Sequence, residues 1–368
     1  MIQSHNTLRY WLALWRAPTI GPQRFLKLLK RFPDLQELFT LKKSLHPHLN
    51  FSQSFSAYLQ QPDWKGVEND LQWLQQPLHT ILTIQDVNYP PLLKEIANPP
   101  PLLFVRGHVD CLITPQLAIV GSRHPTAHGK EIAYEFALQL AQLGLTITSG
   151  LAQGIDGASH QGALAANGKT IAVLGTGADE VYPPHHRPLA EKILAQNGAL
   201  MSEYPIGTKP LAHHFPQRNR IISGLSCGVF VVEATLQSGS LITAQCALEQ
   251  GREVFAMPGS LHNPLAKGCH LLLKQGAKLT ETITDIIEEL SPFLALKAPP
   301  ALSPAKPPTS STLDTVAQKL LEYIGFQTTD LDNLVATSGL PVNIVIAKLQ
   351  TLELAGYIMA APGGYIKR

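Results

Sequence analysis

Cysteine is scarce in this 368-residue chain: Cys111, Cys227, Cys246 and Cys269 lie far apart and form no CxxC pair. That density excludes a disulfide scaffold and leads us to expect reduced thiols in a cytoplasmic protein. No apolar run approaches the ~20 residues of a membrane span, so no membrane association is expected. The opening stretch, MIQSHNTLRYWLALWRAP, contains Arg9 and Arg16. It lacks a signal peptide's basic start and small-residue cleavage site, and it reads as a helix. GxxxxGK[ST] is absent too, which excludes a P-loop NTPase. Charge of one sign is missing as well, with 29 Lys and Arg against 27 Asp and Glu. Affinity for nucleic acid then depends on where the charge sits. Residues 1–50 hold eight basic side chains against Asp34 and Glu37, whereas residues 308–368 hold four against five acids.

Five prolines in residues 298–310, APPALSPAKPPTS, mark an extended spacer with little to pack. Ahead of it, residues 1–80 read as a small helical bundle, with NTLRYWLALWRA and RFLKLLKRF broken at Gly21-Pro22. The pattern resembles a helix-hairpin-helix or sterile-alpha-motif-like unit. In helix-hairpin-helix proteins the hairpin backbone grips a phosphate; a solvated basic face over a small core fits the sequence equally well. Residues 81–107 read as a short strand, a turn and a second strand.

Residues 108–295 alternate short apolar runs at 117–120, 145–148, 170–174, 229–232 and 253–256 with helical stretches such as GKEIAYEFALQLAQLG. Almost wholly apolar strands separated by helices predict a doubly wound, Rossmann-like parallel sheet within an α/β domain at 81–297. Each strand runs into small residues: Gly121, Ser122 and Arg123; Ser149, Gly150 and Gly154; GTG at 175–177; Ser238, Gly239 and Ser240; PGS at 258–260. In a parallel sheet such loops share one rim, where small residues and helix N-termini favour an anionic ligand. Asp156 and His160, four apart, could share a helix face for general acid/base chemistry, but an N-capping aspartate and a hydrogen-bonded histidine are expected instead. The adjacent pairs His185-His186 and His213-His214 are read as strand residues pointing opposite ways, so no metal site is expected.

Three stretches then converge: VGSR, SGLAQGIDGASHQGAL, and FPQRNRIISGLS followed by VVEATLQSGSLITAQCALEQGREVFAMPG. Together they resemble the DNA-processing protein A (Smf) family over essentially the whole chain. His270 stands where the family pattern leads one to expect asparagine. The resemblance implies a homodimeric protein that binds single-stranded DNA and loads the RecA recombinase in natural transformation, with no catalytic residue and no cofactor. Its implied contacts are Arg123 on the first loop and Phe215, Arg218, Asn219 and Arg220 on an FPxRNR loop. Single strands are held by cations along the phosphates and aromatics under the bases, at ~1–3 kcal/mol per stacked base. Phe215 is therefore expected as the platform, Arg218 and Arg220 as clamps, and Asn219 as a hydrogen-bonding spacer. If the loop is extended, alternation turns one arginine inward, to Glu203 or Glu233. To reach the rim, RNRIISGLS is expected to begin a helix, with Arg218 and Arg220 near its positive end and Arg123 facing it across the crevice.

Residues 311–368 resemble a winged helix, with PVNIVIAKLQTLELAG as the helix that would meet a major groove and PGGY as the wing. Few outward cations are available there, so weak or no duplex binding and a protein-contact or regulatory role are expected. The rival reading is a nucleotide-binding or nucleotide-hydrolysing Rossmann-like protein, although the PGGxGTxxE frame of phosphoribohydrolases is missing.

Overall fold

The computed structural model describes residues 5–41, 51–291, 314–325, 328–361 and 363–367. The proline-rich stretch at 298–310, Lys42 and Lys43 lie outside them. Two compact units form, residues 1–297 and 298–368.

Among the described residues, five helices open the first unit: α1 (His5–Trp15), α2 (Pro22–Arg31), α3 (Leu35–Thr40), α4 (Gln53–Gln60) and α5 (Trp64–Leu74). Trp11, Leu12, Phe25, Leu38 and Phe55 are buried between them. The Arg16 guanidinium reaches both carboxylate oxygens of buried Asp70 at 2.7 Å. Asp70 also accepts from the Ile206 amide at 3.1 Å, which ties the bundle to the sheet domain.

The remainder is a nine-stranded sheet with helices on both faces. In chain order it comprises β1 (His79–Thr83), α6 (Pro91–Lys94), β2 (Leu102–Gly107), β3 (Gln116–Val120), α7 (Ala127–Gln142), β4 (Thr146–Ser149), α8 (Ile155–Ala165) and β5 (Thr170–Val173). It continues through α9 (Arg187–Ala195), β6 (Ala199–Ser202), α10 (His214–Leu225), β7 (Gly228–Val231), α11 (Gly239–Glu249), β8 (Glu253–Ala256), α12 (Lys267–Lys274), β9 (Lys278–Leu279) and α13 (Ile283–Leu290). The order is β1-β2-β6-β5-β4-β3-β7-β8-β9. Pairing is parallel from β6 to β9 and antiparallel only for β1-β2-β6. The expected apolar runs are thus strands β3, β4, β5, β7 and β8, shifted by a residue at most; β6 has no counterpart among them.

Alternation along the strands feeds two cores. Leu117, Ile119, Ile147 and Phe230 pack under α7, α8 and α13. Ala118, Val120, Val229 and Val231 face α10, α11 and the N-terminal bundle. From β3 the chain winds outward through β4, β5 and β6, then returns to β7 on the other side of β3. This reversal opens a crevice beyond the carboxyl ends of β3 and β7, the place where such sheets bind ligands.

In the second unit, α14 (Thr315–Tyr323), α15 (Leu331–Ser338) and α16 (Val342–Leu354) precede the hairpin β10 (Ile358–Ala361) and β11 (Gly364–Lys367). The Asp330 carboxylate caps α15 and Gly339, at φ +65°, ends it. Leu320, Leu334, Val345, Leu349 and Ile358 form its core, the arrangement of a winged helix.

Candidate nucleic-acid interface

The crevice at the β3/β7 reversal encloses about 640 Å³ and gathers Gly121, Ser122, Arg123, Phe215, Arg218, Asn219, Ser238, Gly239 and Ser240. Its first wall is the turn after β3. The Ser122 amide donates to the Glu233 carbonyl at 2.7 Å, and the Ser122 carbonyl accepts from Ile155 N at 3.2 Å. The turn is thereby fastened to the chain just past β7 and to the start of α8. Arg123 projects from it, exposed, and among the described residues makes no ion pair. The Glu233 side chain is occupied: its carboxylate accepts from Thr126 N at 2.8 Å and Thr126 Oγ1 at 2.7 Å, at the positive end of α7.

The second wall follows β4. Ser149 is buried and donates its hydroxyl to the Ile119 carbonyl at 2.7 Å. Gly154 is the N-cap of α8 at φ +80°, and a Cβ there would stand 2.4 Å from the Ser122 carbonyl, so only glycine suits the position. Asp156 is therefore not the expected N-cap. From the first turn of α8 it accepts the amides of Gly150 at 3.1 Å and Ala152 at 3.3 Å, closing the loop from within. Burial raises its pKa, while Arg218 and those amides hold it down.

Helix α10 forms the third wall and revises one expectation. The helix expected from RNRIISGLS is present but starts earlier, at His214, so FPQ is helical as well and not an extended loop, with Pro216 in the opening turn, where a missing amide costs nothing. Helical spacing replaces alternation, so Phe215, Arg218, Asn219 and Ile222 share one face. Phe215 lies against Gly175, with the Arg123 guanidinium 5.8 Å and the Arg218 guanidinium 6.0 Å from its ring centroid. Arg218 is only 4% exposed. Its Nη1 donates to the Gly150 carbonyl at 2.8 Å and to the Val173 carbonyl, which bridges the ends of β4 and β5. Burial pulls the pKa of this guanidinium down to about 10, opposed by Asp156. It remains charged at neutral pH and supplies positive potential to the crevice floor. Asn219 donates from Nδ2 to the Gly239 carbonyl at 3.1 Å, joining α10 to the start of α11, where Ser238 is the N-cap.

Arg220 points elsewhere. Its two terminal nitrogens meet the Glu203 carboxylate at 2.8 and 2.7 Å, outside the crevice. Of the five strand-end loops expected on one rim, neither GTG at 175–177 nor the 258–260 loop lines this crevice: Gly175 lies against the Phe215 ring, and the Gly259 carbonyl accepts from His270 Nε2 at 3.0 Å. The histidine pairs are not on strands either. His185-His186 occupies a short 3₁₀ turn and His213-His214 the start of α10, with ring centroids 4.6 and 4.5 Å apart. Among the described residues no three His, Cys, Asp or Glu side chains cluster as a metal site. His160 is hydrogen-bonded, as expected, to Thr170 Oγ1 at 2.7 Å, and it is also buried.

Tyr182 belongs to the site without having stood out in the sequence. It is 43% exposed at the crevice mouth, its ring centroid 5.6 Å from that of Phe215. A lone tyrosine in a loop carries no spacing signal; only its closeness to Phe215 marks it. Thr235, Ile242 and Thr243 complete the wall on the β7 side.

Comparison with known proteins agrees with this outline. The family described as DNA recombination-mediator protein A matches residues 80–291, and a domain described as the DprA winged helix domain matches residues 304–364. Protein Smf of Escherichia coli (strain K12) is 46% identical over 303 residues, 82% of this chain and 81% of that protein. The X-ray structure of DNA processing protein A from Streptococcus pneumoniae superposes with a TM-score of 0.67 at 37% identity, covering 76% of this chain and 97% of that one. A Helicobacter pylori DNA processing protein A structure, described for its single-stranded DNA binding mode, gives 0.52 at 31% identity over 58% of this chain and 97% of that one. The chain belongs to the DNA recombination-mediator protein A family.

Proposed function

We propose that this protein is a non-catalytic mediator of recombination that holds single-stranded DNA in the β3/β7 crevice and passes it to the RecA recombinase during natural transformation. The observation that carries the reading is the placement of the exposed Arg123 beside Phe215, with Arg218 beneath. A cation at the mouth, an aromatic face and a polar rim of Ser122, Ser238 and Ser240 suit phosphates and bases without regard to sequence. The Helicobacter pylori relative, described for its single-stranded DNA binding mode, adds support.

Nucleotide hydrolysis is the weaker reading. Asp156 is the one carboxylate among the described residues lining the crevice, and backbone amides occupy it. Glu233 is committed to Thr126. In this reading residues 1–80 are an accessory helical domain, 81–297 the DNA-binding domain, 298–310 a linker and 311–368 a winged helix acting in the cytoplasm. Ile242 and Leu248 on α11 and Leu271 on α12 are exposed apolar side chains that a homodimer contact in this region would bury. Titration of oligo-dT with the native protein, Arg123→Ala and Phe215→Ala tests the reading; unchanged affinity in both variants would refute the site.

A further inference from the structure

Helix α10 has a second side. Phe215, Arg218 and Asn219 face the crevice, whereas His213, Gln217 and Arg220 line a separate cleft of about 1020 Å³. Its opposite wall is the turn from α1 to α2, including Thr19 and Arg24. Trp15 also lines it, its indole N–H donated to the Glu203 carbonyl at 2.7 Å. Tyr204 lies in the cleft stacked on His214, ring centroids 4.0 Å apart and planes 22° apart.

The charge of this cleft is settled by one pairing. Among the described residues that line it, Glu203 is the sole carboxylate, and both its oxygens are taken by Arg220. That pair is neutral overall and leaves Arg24 as the uncompensated cation. Arg24 is half-buried, hydrogen-bonded to Thr19 Oγ1 at 3.3 Å and 5.2 Å from the Phe55 ring centroid. Thr19 itself holds φ +65°, a conformation that a β-branched residue rarely adopts and that collects at binding sites. A cation, aromatic faces and the amides of Gln23, Asn98 and Gln217, with no free carboxylate, are the elements that hold single-stranded nucleic acid.

We propose that this cleft is the continuation of the strand path: DNA leaving the crevice crosses α10 beside Phe215, sets a phosphate near Arg24 and stacks a base on the Tyr204–His214 pair. A helix is ~10–12 Å across, so on the order of two or three nucleotides make the crossing. The proposal rests on the reading of the crevice as the first single-strand site.

Oligo-dT of about 6 and about 20 nucleotides, short and long against the site of one such module, separates the two. Arg24→Gln should weaken the longer strand about fivefold and leave the shorter unchanged, while Arg123→Ala weakens both. With 5-iodouracil in the longer strand, photo-crosslinks should reach Tyr204 as well as Phe215. Native affinity of Arg24→Gln for the longer strand, or crosslinks at Phe215 without Tyr204, overturns the cleft alone. An Arg24→Gln loss equal for both lengths also overturns it, because no separate subsite would then exist. If the native protein binds neither length, both the cleft and the crevice reading fall.

Discussion

The guanidinium of Arg218 donates to the carbonyl oxygen of Gly150 at 2.8 Å, and a Cβ added at Gly150 would meet that guanidinium at 2.5 Å. An arginine of the FPQRNR motif is thus a bolt between strand ends as well as the source of positive potential under the crevice. The consequence is that binding and stability are coupled at this position and separable at Arg123.

Arg218→Ala leaves the Gly150 and Val173 carbonyls without their donor and removes the cation beside Asp156. A cost of about 2–4 kcal/mol in unfolding free energy is expected, with oligonucleotide affinity falling in parallel. Urea unfolding set beside oligo-dT titration checks this. A variant of native stability would contradict the bridging role.

Arg220→Ala breaks a pair whose glutamate is almost wholly buried, so about 3 kcal/mol of stability should be lost. Binding of a short oligonucleotide by the folded variant should remain native, since Arg220 faces away from the crevice. Thermal denaturation and anisotropy together distinguish this from a phosphate clamp, for which affinity would drop at unchanged stability.

Phe215→Ala should weaken oligo-dT about tenfold, the value of one lost stacking platform, with the salt dependence unaltered. Phe215→Trp should restore affinity. A flattened salt slope in Phe215→Ala would mean that the ring acts by placing a cation rather than by stacking.

Acid stability reports on His160, which is 0% exposed. Thr170 Oγ1 spends its proton on the Ile147 carbonyl at 2.6 Å, so the imidazole must be the donor from Nδ1, and Nε2 is left buried without a partner among the described residues. Burial lowers the imidazole pKa to about 3 from the ordinary 6.5, with His186 and Arg218 adding to the effect. The unfolded chain therefore binds the extra proton below pH 6.5, and stability is lost as pH falls from there toward about 3. For this one group the slope is ~1.4 kcal/mol per pH unit. Urea midpoints across that window should fall less steeply for His160→Gln than for the native protein; identical slopes would contradict the account.

The winged helix is expected to leave duplex DNA alone. Val342, Ile344 and Ile346 are exposed on α16, and Lys348 is paired with Asp314. Full-length protein and residues 1–297 should bind duplex equally in anisotropy titrations. A loss on truncation would assign this unit to duplex recognition.

Pattern length decides which elements are legible in the sequence. The runs of β3, β4, β5, β7 and β8 are apolar and flanked by small residues, so both the sheet and its rim can be read from them. The strand β6, ALMS, comes three residues after the apolar face of α9, and four residues have too little period to separate the two. RNRIISGLS reads as the start of a helix, but FPQ ahead of it reads as a loop because phenylalanine and proline before arginines suggest a surface. The helix as a whole is fixed by tertiary contacts instead: Arg218 to Gly150, Arg220 to Glu203 and Asn219 to Gly239. The partners of those side chains lie 68, 17 and 20 residues away, beyond any local pattern. Nine of the thirteen residues anticipated for the site line the crevice. Ser149, Gly150 and Gly154 shape it from behind, and Arg220 faces the other side of α10.

The central claim rests on Arg123, the exposed cation whose removal breaks no hydrogen bond or ion pair among the described residues. Oligo-dT affinity measured against salt, for the native protein and Arg123→Ala, tests it most directly. The account predicts weaker binding at low salt, a slope of log affinity against log salt shallower by about 0.7, and unchanged thermal stability. Equal affinity and equal slope in the two proteins would contradict it.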